Sequence, residues 1–168
     1  NFIHQPERTP RIANAQYHHG LAPNYEGNES WGTRRHRLIT DSLGFKDGAV
    51  RNVPAIPATR RILLIGDSIT EGLGFKFEDT FAGRLHRAGQ ERADKIEFLN
   101  AAVVSYSPVI FYKKIKYFIE SGLQFDEVVV FSDISDVQDE ATSYFCIDED
   151  PRYRKYCPSS SDEPTFGW

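Results

Sequence analysis

Apolar residues in this chain gather in short runs, and the first sustained one is "RILLIG", Arg61 to Gly66. Four consecutive apolar positions without alternation suit a strand buried on both faces of a parallel sheet. After it, "DTFAGRLHRAGQERA" sets Phe81, Leu85 and Ala88 at helical spacing. The pattern then repeats. "KIEFLNAAVV" reads as a strand, and "PVIFYKKIKYFIESG" as a helix with Pro108 in its first turn, Phe111, Ile115, Phe118 and Ile119 on one face, and Gly122 as its stop. "DEVVVFSDI" supplies a third strand. Strands alternating with amphipathic helices predict a three-layer α/β/α domain over residues 59–168. A doubly wound sheet usually has about five strands or more, so three predict a truncated domain or one completed from elsewhere.

Residues 1–58 read differently. They hold five of the nine prolines and four of the five histidines, with turn signals such as "APNYEGNESWG" and "GFKDG" and no sustained period of 2 or 3.6. This predicts a loop-rich lead-in packed on the domain, with one short strand at "RHRLIT".

Charge narrows the class of partner. A net charge of -4 argues against a protein that tracks nucleic-acid phosphates, and the basic clusters Arg34-Arg35-His36-Arg37 and Lys113-Lys114-Lys116 read as solvated faces. No apolar run reaches the length of a membrane span. Cys146 and Cys157, eleven apart, are compatible either with a loop-closing disulfide or with two free thiols. The chain starts at Asn1 and contains no Met, so a trimmed N-terminus is expected, and a signal peptide or anchor could have preceded it.

Candidate chemistry collects where the predicted strands end, since ligands of open α/β sheets bind beyond the carboxyl ends of the strands. "GDSIT", "NAAVVSYSP" and "SDISDVQDE" follow the three strands and carry hydroxyl, amide and carboxylate groups. Ser68 lies between strand and helix, the mechanical position of a nucleophile elbow, although the surrounding sequence is not Gly-x-Ser-x-Gly. Ser68-Ile69-Thr70-Glu71 is equally a Ser-x-x-Glu capping box, which would satisfy helix N–H groups with no chemistry at all.

"LLIGDSITEG", with "NAAVVSYSP" after one helix and "DISD" after the next strand, resembles the GDSL, or SGNH, family of serine hydrolases. "WGTRRHRLITDSLGFKDG" also resembles the segment that precedes the first block in bacterial exported and cell-surface members, so the likeness spans roughly Trp31 to Glu140 and favours export. It implies a flavodoxin-like parallel sheet and a hydrolase acting on carbohydrate, lipid or small-molecule esters, with no metal or organic cofactor. Under the resemblance Ser68 is the nucleophile and its N–H an oxyanion donor, while Gly66, Asp67 and Asp136 are structural at the site. Ser105 would give a second backbone N–H from the position where the family has glycine, with Ala102 where an earlier glycine often sits. Ser135 stands where the family places its oxyanion-hole asparagine. A hydroxyl is the shorter donor, and losing such a donor costs on the order of 100-fold in rate.

A serine hydroxyl needs a neighbouring histidine as base, and the histidine needs a carboxylate to fix its tautomer. The family supplies both as Asp-x-x-His, which is absent from this sequence. His86 is expected mid-helix on a solvated face; His4, His18, His19 and His36 precede the serine, and the pair His18-His19 could fold over the site. The expectation is that the dyad belongs to a C-terminal part outside these residues. The acidic cluster Asp133, Asp136, Asp139 and Glu140 fails as a calcium loop, because Val137 takes the third ligand position and no glycine makes the turn; it suits a helix N-terminus. Two other classes stay open. One is a non-catalytic relative binding a glycan or partner, with Tyr106, Tyr112, Tyr144, Phe145, Tyr153 and Tyr156 as stacking surfaces; the other is a flavodoxin-like phosphate or nucleotide binder using the turn at "GDSITEGLG". Oligomeric state is not legible.

Overall fold

The computed structural model describes residues 9–144. Its centre is a parallel three-stranded sheet built from β5 (Arg60–Ile65), β6 (Ile96–Asn100) and β7 (Glu127–Val130), in the order β6-β5-β7. The chain is thus mixed α/β with a parallel sheet flanked by helices. β5 lies in the middle because its side chains are apolar on both faces: Leu63, Leu64 and Ile65 are all buried. Ile62 and Leu64 pack with Phe77 and Ala82, whereas Leu63 joins Phe118 and Ile65 joins Ile110 and Phe111.

The helices are α1 (Ser68–Glu71), α2 (Phe81–Glu91), α3 (Pro108–Glu120) and α4 (Ile134–Asp139), with a short 3₁₀ turn at Phe77–Asp79. α2 starts where Thr80 accepts a hydrogen bond from the Gly83 N–H at 3.0 Å. Its buried face is Ala82, Gly83 and Gly89; of the expected Phe81, Leu85 and Ala88, Phe81 is half-buried against the Ile62 and Leu64 cluster, whereas Leu85 and Ala88 face solvent. The helix lies so close to its neighbours that a Cβ on Gly83 would stand 2.0 Å from the Phe77 carbonyl oxygen. Small residues, which carry no apolar signal, therefore mark the packed side. His86 corrects a second expectation: it is partly buried, with Nδ1 3.1 Å from the Phe98 carbonyl and its ring edge-on to Phe77.

In α3, Pro108 at the start and Gly122 at φ 85 just beyond the end behave as expected; Phe111 and Phe118 are buried and Ile115 is half-buried, as expected, but Ile110 and Lys114 are buried with them and Ile119 is exposed. Lys114 is no solvated lysine. Its Nζ donates to the Ala101 carbonyl at 2.7 Å and to the Tyr106 hydroxyl at 2.9 Å, and lies 4.8–5.3 Å from the ring centroids of Tyr17, Phe45 and Tyr106. Burial lowers its pKa to about 7. His36 is likewise buried, while Arg34, Arg35 and Arg37 are exposed as expected.

The lead-in is more regular than its sequence suggests. β1 (Arg11–Asn14) pairs antiparallel with β2 (His18–Leu21), and β3 (Glu26–Trp31) with β4 (Arg34–Ile39), the last being the expected "RHRLIT" strand. Tyr17, Leu21, Leu38 and Phe45 sit in the same apolar clusters as Leu63, Ile65 and Phe118. No helix among the described residues is long and apolar enough to cross a membrane.

Candidate functional site

The order β6-β5-β7 fixes where the site lies. The chain leaves β5 for β6 on one side and returns to β7 on the other, so loops diverge at the carboxyl ends of β5 and β7 and leave a crevice there. Gly66, Asp67 and Ser68 follow β5, and Asp133 to Asp136 follow β7. Gly66 is required by the close approach: a Cβ there would stand 2.3 Å from Thr70 Oγ1 and 2.8 Å from the Phe131 carbonyl oxygen.

Asp67, not Ser68, caps α1. Its Oδ1 accepts from the Ile69 N–H at 2.9 Å, and Ser68 is the first helical residue. Gly72 at φ 72 ends the helix after one turn. The Ser-x-x-Glu capping box is therefore not formed. Glu71 turns inward, fully buried, where Oε2 accepts from the Val104 N–H at 2.7 Å and both oxygens accept from Arg11, at 2.7 and 3.2 Å. Ser68 keeps a half-buried hydroxyl that donates to Asp67 Oδ2 at a long 3.3 Å.

The other two loops arrive by different means. Ser105, half-buried, has φ 60, a left-handed conformation that glycine adopts most readily. Asn100 ties its loop to α1, donating from Nδ2 to the Thr70 carbonyl at 3.0 Å. Ser135 is exposed, and its hydroxyl donates to Asp133 Oδ1 at 2.6 Å, an oxygen that also accepts from the Ser135 N–H. That bond directs the Ser135 hydroxyl at its own cap. Asp133 and Asp136 form a reciprocal capping box on α4, with the Asp133 N–H donating to Asp136 Oδ2 at 2.9 Å.

Asp67, Asp133 and Asp136 bring carboxylate oxygens within 4.8 Å of one another. Burial first, then the neighbouring Asp67 and Asp133 charges, raise the pKa of Asp136 above the ordinary aspartate value. These oxygens largely serve local N–H and O–H donors, as an N-terminal acidic turn requires.

The histidines lie as follows. His19 on β2 is buried with Nε2 2.9 Å from the Val104 carbonyl, so it abuts the Ser105 loop, and its Nδ1 is 2.7 Å from His18 Nδ1. Burial lowers the His19 pKa to about 4. His36 stands 3.4 Å from Glu29. His4 lies outside the described residues, as do Cys146, Cys157, Phe145, Tyr153 and Tyr156. Of the expected stacking aromatics, Tyr106 and Tyr144 are buried, and the Tyr106 hydroxyl donates to the His19 carbonyl at 2.7 Å. Tyr112 is exposed.

Beside Ser68 opens a cleft of about 390 Å³, bounded by Trp31, Ile69, Leu73, Phe75 and Phe81. Sequence reading missed these residues, together with Arg11, Lys46 and the inward Glu71. Trp31 sits at a polar turn, and nothing local in the sequence ties that turn to the serine.

The fold and site define an α/β protein with a serine presented at a strand-to-helix turn, at the point where the sheet's connections diverge. No family model matches the chain, and a search of curated proteins returns no match.

Proposed function

We propose that the chain is the nucleophile-bearing part of an SGNH-like serine ester hydrolase on a three-layer, flavodoxin-like α/β/α scaffold. The observation that carries the reading is the cap on α1. Because Asp67 rather than Ser68 is the side-chain cap, the Ser68 hydroxyl is held only by its long bond to Asp67 Oδ2, and the residue is partly exposed at the sheet's switch point and borders a cleft.

In this mechanism Ser68 Oγ attacks the ester carbonyl carbon while a histidine from outside the described residues takes its proton. The carbonyl π pair moves to oxygen, where the N–H groups of Ser68 and Ser105 receive the charge. Collapse expels the alcohol with that proton, and water repeats the sequence on the acyl-serine. The Ser135 hydroxyl can join the oxyanion donors only by leaving Asp133 Oδ1. That commitment is the observation favouring the second reading, a non-catalytic relative that keeps the fold to bind a glycan or partner.

The test is labelling with a fluorophosphonate, on this chain and on the full protein its gene encodes, with the modified residue mapped by mass spectrometry. Labelling at Ser68 in the full protein, lost in Ser68→Ala with unchanged circular dichroism, is expected. Absence of Ser68 labelling in both forms would leave the binding reading.

A further inference from the structure

The cleft beside Ser68 is built partly by the lead-in. The β3–β4 turn carries Trp31 at its base, and Trp31 forms one wall; Ile69 and Leu73 from α1 and beyond, and Phe75 and Phe81, form the rest. Trp31, Ile69 and Phe75 are exposed at 59%, 66% and 46%. Exposed apolar side chains are unremarkable singly, but three around one concavity mark a binding surface.

Both walls are fixed. The Arg34 guanidinium stacks 4.4 Å from the Phe75 ring centroid, tying the turn to the Gly72–Phe75 segment. From below, buried Lys46 donates to the carbonyls of Gly72 and Phe75 at 2.8 and 2.7 Å. Gly74, at φ 84, lets that segment pass close to Trp31 and Arg34. The cleft is therefore preformed, and its volume falls within the range of small-molecule sites, roughly 300–1,000 Å³.

Its chemistry is one-sided. The Thr80 hydroxyl is spent, donating to the Phe77 carbonyl at 2.7 Å and accepting from the Gly83 N–H at 3.0 Å, which leaves the Ser68 hydroxyl and the Asp79 carboxylate, exposed and only loosely paired with Lys76 at 3.9 Å, as the polar side-chain groups of the lining. A sugar ring needs several side-chain hydrogen-bond partners around its hydroxyls, and this lining offers few. An aliphatic chain needs only apolar surface.

We infer that the Trp31–Arg34 turn builds a subsite that receives an aliphatic acyl chain of several carbons next to Ser68, so that the segment ahead of the α/β unit selects the substrate. The acyl assignment rests on the hydrolase reading; chain binding in the cleft does not.

The test is isothermal titration of this chain with sodium octanoate and, separately, with methyl β-glucoside, on wild type, Trp31→Ala and Trp31→Phe, each checked for an unchanged thermal midpoint. Octanoate should bind the wild type, bind about tenfold more weakly to Trp31→Ala, and recover most of that loss in Trp31→Phe; a large energetic weight on one aromatic is usual at binding sites. No octanoate binding, or equal binding by wild type and Trp31→Ala, would overturn the subsite, and binding of the glucoside without octanoate would assign the cleft to sugars instead. Octanoate binding without fluorophosphonate labelling of Ser68 would remove the hydrolase reading while leaving the chain-binding cleft. Labelling without octanoate binding would do the reverse.

Discussion

Arg11→Met should destabilise the fold strongly, because Arg11 is the cation that holds the first strand of the lead-in against the turn after Ser68. Its guanidinium makes two hydrogen bonds to Glu71 and two to Glu29. The Glu71 side chain is fully buried, and after the substitution the Val104 N–H is the hydrogen-bond donor left to it. Taking the hydrogen-bonded cation from one partner of a buried ion pair costs about 3–5 kcal/mol, and the buried Lys46 and Lys114, which attract Glu71 only through space, hold the cost toward the lower end. Glu29, with only 13% of its side chain exposed, loses two hydrogen bonds at the same time and adds to the cost. A chain of this size loses about 2–4 °C of midpoint per kcal/mol, so a lower value near 3 kcal/mol corresponds to a fall of about 6–12 °C. Urea titrations followed by circular dichroism would measure this, with Glu71→Gln and the double variant completing a cycle. The two single losses should exceed the loss in the double variant by about 1–3 kcal/mol, since the groups are in direct contact. A deficit under about 1 kcal/mol for Arg11→Met, or additivity within about 0.3 kcal/mol, would refute the clamp.

Two further predictions concern the loop that Glu71 and His19 both hold. The pKa of His19 is lowered from 6.5 to about 4 by burial, so between these values the unfolded chain binds a proton that the folded chain refuses. Its contribution is complete above pH 6.5 and is lost as pH falls toward 4, about 3 kcal/mol in all. His19→Gln should therefore flatten the fall in stability from pH 6.5 to 4 relative to wild type. Asp41, raised from 3.8 to about 6 by burial, contributes the opposite slope, stability lost as pH rises, so the difference between the two proteins is the readout, and identical profiles would refute the assignment. At Ser105, whose φ is 60, Ser105→Gly should leave stability within about 1 kcal/mol of wild type, whereas Ser105→Val should lose about 1–2 kcal/mol. Equal unfolding midpoints for the two would mean that the loop does not hold this conformation.

The parallel sheet was legible because β5 is continuously apolar and each strand is followed by a helical pattern. Helix faces were less so. In α2 the packed side is Ala82, Gly83 and Gly89, chosen for close approach rather than hydrophobicity, and in α3 a lysine occupies a core position because three rings and two acceptors surround it. The lead-in hairpins escaped notice because β3, "EGNESW", alternates only between exposed and half-buried positions. At the site, Gly66, Asp67 and Ser68 could be placed from the strand-to-turn boundary alone. Glu71 could not: a capping box and a buried ion-pair partner look the same until Arg11, sixty residues earlier, is brought beside it.

The ties between the lead-in and the rest of the chain also set an order of events in time. The His19 bond to Val104 and the Tyr106 bond to His19 span 85 and 87 residues, and Arg11 reaches Glu71 across 60. Contacts of such sequence separation form late and slow folding, because the loop between them must close first. At roughly 5–20 residues per second of synthesis, several seconds pass between emergence of β2 and of the residues that anchor it. In those seconds Tyr17 and Leu21 have no core to enter, and a chaperone or protease meets them exposed. The lead-in is made before the α/β unit that anchors it, and it closes after that unit.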